Sequence, residues 1–250
     1  MKHARLDKEL VIRGLVSTRS QAESYIRLGH VKVNGQAVDK SGHFLKDGDK
    51  IQLDVAAADQ YVSRAALKLA SVVGALKIHF TDKKVLDVGS STGGFSDYAL
   101  RQGAKKVVAV DVGSEQMHPS LRADSRLELH EKTDIRNFKM ADKPDLILVD
   151  VSFISLHEIL PSLSSLSKPS TQIVALLKPQ FEAGKEEINR GIVKNDRLRR
   201  QILKDFEAWA KDYFVIAAKA DSEVAGAGGN HERFYLLRVL KEKPRGRARP

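Results

Sequence analysis

From Tyr61 onward, short apolar segments alternate with helical or loop segments, and this alternation constrains the fold more than any other feature. The segments read KKVLDVG, KVVAVDVG, LELHEKT, DLILVDVS, TQIVALLK, DYFVIAAKA and, last, RFYLLRVL. Ahead of them, YVSRAALKLASVVGALKI carries Val62, Ala66, Leu69, Val73 and Leu76 at helical spacing. Strands interleaved with helices predict a mostly parallel sheet covered by helices on both faces, an α/β architecture. Ligands of such sheets bind beyond the carboxyl ends of the strands, so the residues that follow each apolar run are the candidates for chemistry.

The chain ahead of Tyr61 has a different pattern. RLDKELVIRGL predicts a helix with Leu6, Leu10 and Val11 on one face, and a second helix begins near Thr18 with Gln21 as its capping-box partner. Tyr25, Ala22 and Ile26 form its buried face and Gly29 its stop. Val31 and Val33 then alternate with polar residues before an Asn34-Gly35 turn, and KIQLDV supplies another strand. This small α+β module gathers Arg5, Lys8, Arg13, Arg19, Arg27 and Lys32. Any one of them reads as a solvated charge; together they suit phosphate contacts, which position a protein on nucleic acid without reading its sequence. The net charge of +10, from 42 Lys+Arg against 32 Asp+Glu, favours a polyanionic partner in the same way. The expected organisation is a first domain at 1–54, a linker at 55–60 (VAAADQ), a second domain at 61–241 and a basic tail at 242–250.

Several classes are disfavoured. No stretch approaches the roughly 18 apolar residues of a membrane-spanning helix, so no membrane insertion is expected. MKHARLDKEL has no apolar core for a signal peptide, and with no cysteine there are no disulfides or thiolate metal sites, which together fit a cytoplasmic protein. No metal site is expected.

Within the second domain the first strand ends in Asp87-Val88-Gly89, and the turn SSTGGF (Ser90 to Phe95) opens a helix whose free N–H groups suit a ligand. A dinucleotide fingerprint would place glycine where Ser91 stands, which disfavours a nicotinamide enzyme. Asp111, ending VVAVD, is placed to accept hydrogen bonds from a ribose diol, and Thr133-Asp134-Ile135 lies near where an adenine would sit. Four ionisable residues stand out: Lys68, Asp150, Lys178 and Glu232. Singly each reads as an ion pair capping a strand, because a charge at the rim of a sheet must be paired. Phe153 and Phe181 suit either stacking on a base or core packing, and the loop 179–196 either closes over substrate or is an exposed insertion.

RLD, GLVSTRSQA and IRLGHVKVNG, in that order, resemble the alpha-L RNA-binding motif of ribosomal small-subunit protein four and the pseudouridine synthases. LDVGSSTGGF resembles the first motif of S-adenosylmethionine-dependent methyltransferases, and the Lys-Asp-Lys-Glu set resembles that of the FtsJ-like ribose methyltransferases. With VSRAALKL, AVDVG, LVDVSFISL, LLKPQFE and GAGGNHE also in order, nearly all of residues 3–240 is similar to the TlyA family, named both as hemolysins and as ribosomal RNA 2′-O-methyltransferases. The resemblance implies a Rossmann-like class I methyltransferase sheet behind a small RNA-binding domain. It implies S-adenosylmethionine at Asp87, Gly89, Ser91, Thr92, Gly93, Gly94, Phe95, Asp111, Val112, Asp134, Ile135 and Asp150. It further implies ribosomal RNA or ribosomal subunits as partners, met by Arg5, Lys8, Arg19, Arg27, Lys32 and Arg64. The implied chemistry is methyl transfer to a ribose 2′-hydroxyl, with Lys178 as base, Asp150 orienting it, and Lys68 and Glu232 holding the ribose and the lysine. A lysine takes that proton only when neutral, a state that a second cation favours and carboxylates oppose. Departures from the family pattern are Ala65-Ala66 for a commoner Gly-Gly, Asp134 for asparagine, and Arg233 for an apolar residue, which would shift or bend the last strand. The alternatives are a catalytically inactive RNA-binding ribosome-assembly factor and a hemolysin-like protein acting on membranes.

Overall fold

The computed structural model describes residues 4–16, 18–27, 29–54, 61–183, 192–193 and 195–240. The expected linker, most of the loop after Ala183, the basic tail and the side chain of Arg27 lie outside the described residues.

The N-terminal unit runs β1 (Ala4–Arg5), α1 (Leu6–Ile12), α2 (Arg19–Arg27), β2 (Val31–Val33), β3 (Gln36–Ala37), β4 (Phe44–Leu45) and β5 (Ile51–Leu53). Strands β3, β2 and β5 form an antiparallel sheet in that order, and β1 pairs with β4. Asn34 (φ 51°) and Gly35 (φ 82°) supply the two left-handed residues that a tight hairpin needs. Thr18 Oγ1 caps α2 by accepting from the Gln21 amide at 3.1 Å, and the Gln21 side chain donates to the Tyr61 carbonyl at 2.9 Å. Leu6, Leu10, Ala22, Tyr25, Ile26 and Val31 are buried, while Val11 is only half-buried, because α1 is two turns long and presents a narrow stripe.

The second unit runs α3 (Arg64–Leu76), β6 (Lys84–Val88), α4 (Gly94–Arg101), β7 (Lys106–Val110), α5 (Pro119–Arg122), β8 (Leu127–His130), β9 (Leu146–Val149), α6 (Leu156–Leu166), β10 (Gln172–Leu177), α7 (Pro179–Glu182), α8 (Asp196–Ala210), β11 (Phe214–Asp221) and β12 (Arg233–Val239). The sheet order is β11-β12-β10-β9-β6-β7-β8; five neighbouring strands pair parallel, and β12 alone runs against the rest, antiparallel between β10 and β11. Alternate residues of the strands serve opposite faces. Val85, Val107, Leu148 and Leu176 pack under α3 and α4, whereas Leu86, Val108, Ile147 and Leu177 pack under α6 and α8. Burial on both faces explains why these strands read as continuous apolar runs.

One expectation is refined and one is corrected. Val72 is fully buried on α3 with Ala66, Leu69 and Leu76, whereas Val73 is only half-buried against the same core. Arg233 does not shift β12: it sits in register with Leu177 and Asp221, and its guanidinium pairs with Asp221 at 2.6 and 2.9 Å. The register break lies on β11 instead, between Ile216 and Ala218.

The units share a core. Leu67 of α3 and Val224, from the connection between β11 and β12, are buried among Leu6, Leu10, Tyr25 and Ile26.

Candidate active site and RNA-facing surface

Parallel pairing brings the functional side chains together. Val149 lies opposite Ala175, and Leu177 lies opposite Arg233, so Asp150, Lys178 and Glu232 follow or precede neighbouring interior strands at one end of the sheet. They form two ion pairs. Lys178 Nζ lies 2.6 Å from Asp150 Oδ1 and donates to Ser152 Oγ at 2.9 Å. Lys68 Nζ, from α3, lies 2.6 Å from Glu232 Oε2, and that carboxylate is almost completely buried. Space against Glu232 is tight: a Cβ on Gly226 would stand 2.1 Å from its Oε1.

A cavity of about 580 Å³ opens beyond the carboxyl ends of β6, β7 and β9. Gly89, Ser91, Asp111, Val112, Asp134, Ile135 and Asp150 line it, as does Phe153. Gly89 is required there twice, by its φ of 80° and because a Cβ would meet the Asp150 carbonyl oxygen at 2.7 Å. Asp111 is held by the Ser91 amide (2.8 Å) and the Gly113 amide (2.7 Å). The Arg136 guanidinium beside Asp134 holds that carboxyl below its usual range, and Arg136 also lines the cavity.

The other expected ligand residues do not line this cavity. Asp87 lies beneath the turn, fully buried, with Oδ2 accepting from Ser96 Oγ at 2.6 Å. Thr92 faces a smaller neighbouring hollow with Met117 and His118. Gly93 and Gly94 serve packing: a Cβ would strike Leu121 and Met117 at the first, and Ser63 and Ala65 at the second. Phe95 is core, its ring 6.0 Å from that of Phe234. The lysines and Glu232 do not line the cavity either; only Asp150 of the four reaches it.

Phe153 is 91% exposed with φ of 65°, and its ring stands 5.1 Å from that of half-buried Phe181. Of the loop after Lys178, the described start forms α7. Ser152 and Glu182 were not singled out from sequence; both lie in motifs quoted above, and only the fold shows what they touch.

On the N-terminal unit, Asp7 is fully buried and gathers two of the expected arginines. Arg5 donates to it through two nitrogens at 3.0 and 2.9 Å, and Arg19 at 2.8 Å. Burial pushes the Asp7 carboxyl up, but these guanidinium hydrogen bonds outweigh it and hold the group below its usual range. Lys32 pairs with Asp54 at 2.6 Å and Arg13 with Glu9 at 2.9 Å, whereas exposed Lys8 has no ion pair among the described residues. Arg64 is not a free surface cation: it donates to the Ala225 carbonyl. Among the described residues no cluster of His, Cys, Asp or Glu could hold a metal, and no helix is long and apolar enough to cross a membrane.

Residues 61–239 match the FtsJ-like methyltransferase family, and residues 4–51 match the S4 domain. The chain is 36% identical to the 16S/23S rRNA (cytidine-2′-O)-methyltransferase TlyA of Mycobacterium tuberculosis, over 97% of this chain and 92% of that protein. It is 42% identical to the 23S rRNA (cytidine-2′-O)-methyltransferase TlyA of Campylobacter jejuni, over 76% and 75%. A solved structure from Streptococcus thermophilus that carries a hemolysin name superposes with a TM-score of 0.72 at 36% identity, covering 97% of this chain and 90% of that one. The two family matches, in order along the chain, and the identity over nearly its whole length agree: the chain belongs to the FtsJ-like methyltransferase family, in the TlyA group that carries an S4 domain in front.

Proposed function

We propose that this protein transfers a methyl group from S-adenosylmethionine to a ribose 2′-hydroxyl of ribosomal RNA. The observation that carries the proposal is the Lys178–Asp150 pair at the rim of the 580 Å³ cavity, with Asp150 reaching the cavity wall. The cavity suits the cofactor. Asp111 has acceptor capacity left for a ribose diol, Val112 and Ile135 offer apolar surface to an adenine, and at Gly89 the backbone comes close with no side chain in the way. Bound there, S-adenosylmethionine supplies an electrophilic methyl group.

The chain's own residues do the rest. Lys178, in its neutral form, takes the proton of the 2′-hydroxyl at Nζ. Asp150 and Ser152 fix the position of that nitrogen, because the amine can rotate but cannot leave two partners at 2.6 and 2.9 Å. Lys68 and Glu232 pair with each other, not with Lys178, and the buried pair ties α3 to the start of β12. Arg5 and Arg19, oriented by buried Asp7, and exposed Lys8 supply phosphate contacts that bring RNA to the cleft without reading sequence. Phe153, exposed on the cleft rim, stacks on a base.

The test is transfer of labelled methyl to purified ribosomal subunits that lack the modification, followed by mapping of alkali-resistant linkages. Lys178→Ala is expected to lower the single-turnover rate by roughly 100-fold or more while cofactor binding survives. Near-normal turnover in that variant would reject Lys178 as the base. Absence of transfer to any subunit by the wild-type protein, despite tight binding of RNA and cofactor, would favour a ribosome-assembly role.

A further inference from the structure

We propose that Glu182 is a positioning residue that clamps the loop carrying Asp150 and Phe153 against the segment carrying Lys178. Its side chain is 3% exposed and sits four residues after Lys178, on α7. It receives the Leu156 amide at 2.8 Å, lies 3.0 Å from His157 Nδ1, and accepts from Ser155 Oγ. These three groups end the loop that begins at Asp150.

The loop needs such a restraint. Phe153 holds a positive φ of 65° with its ring in solvent, a conformation that a bulky side chain keeps only when its surroundings over-determine it. Ring contact with Phe181, the neighbour of Glu182, is one restraint, and the Glu182 carboxylate at the loop's far end is the other. The N-terminus of α6 is capped from two segments: Ser155 Oγ accepts from the His157 amide at 3.0 Å, and Glu182, from α7, accepts from the Leu156 amide. Because the second cap comes from α7, it ties two strand-end loops to each other, one holding the base and the other its partner.

The inference rests in part on the methyltransferase reading, so its test has one readout that does not. Glu182→Gln keeps the shape of the side chain while weakening its acceptance from the Leu156 amide and the Ser155 hydroxyl. In the full-length variant, amide exchange at residues 151–157 is expected to accelerate. Trp209, the only tryptophan, lies 4.3 Å from the His157 ring and is expected to change its emission. Unchanged exchange and emission would overturn the clamp. In single-turnover methyl transfer at saturating S-adenosylmethionine, Glu182→Gln is expected to lose roughly tenfold to a hundredfold. Combined with Phe153→Ala, it is expected to add little, since both act through one loop. Losses that multiply independently would overturn positioning through Phe153. If the wild-type protein transfers no methyl at all, the methyltransferase reading fails and exchange with emission alone judges the clamp.

Discussion

Asp87 is fully buried beneath the Gly89 turn, and burial pushes its carboxyl up to about 7, with the nearby Asp150 charge adding to the rise and the Ser96 hydroxyl opposing it. Its unfolded value lies near 3.9. Between about pH 4 and 7 the folded state therefore binds more protons than the unfolded one, and stability falls as pH rises through that window. A rise from about 4 to about 7 corresponds to about 4 kcal/mol. The difference in melting temperature between Asp87→Asn and wild type is expected to move steadily in the variant's favour from pH 4 to 7 and then level off. Parallel melting curves across that range would contradict it. Asp87 is the penultimate residue of β6 and lies beneath the turn, off the cavity wall: successive strand residues point to opposite faces, and the neighbouring elements decide which face meets the cavity.

At the scale of elements, the central strands β6, β7, β9 and β10 were legible because each is covered on both faces by helices and so carries an uninterrupted apolar run, whereas β11 near the sheet's edge alternates. The glycine turn was legible as a turn, but not its division of labour. Gly89 serves the cavity, while Gly94 lets α3 approach α4, a contact with residues some 30 positions away in sequence. Helix starts depend on local chemistry and can be tested singly. Asn195 caps α8 by accepting from the Arg197 and Leu198 amides at 2.9 and 3.4 Å. Asn195→Ala is expected to cost about 1 kcal/mol in denaturant unfolding, with cofactor affinity kept. A change within a few tenths would mean that water replaces the cap.

In the molecule as a whole, α3 belongs to both units. Leu67 is buried in the N-terminal core beside Val224, and the next residue, Lys68, pairs with Glu232 at 2.6 Å. Leu67→Ala should cost roughly 2–5 kcal/mol, and because the side chain joins two units, both should melt earlier. A calorimetric scan showing a shift in only one of two separate transitions would instead make the units energetically independent.

The sequence alone determined the mostly parallel α/β sheet, the basic module ahead of it and the strand ends where chemistry gathers, because hydrophobic periodicity and turn residues are local signals. It did not determine who pairs with whom. Lys68 finds Glu232 across 164 positions, Arg5 and Arg19 converge on a buried Asp7, and Glu182 meets the start of α6. Those choices belong to the tertiary structure, since a buried charge takes the partner that packing brings within hydrogen-bond reach, and packing joins residues without regard to their distance along the chain.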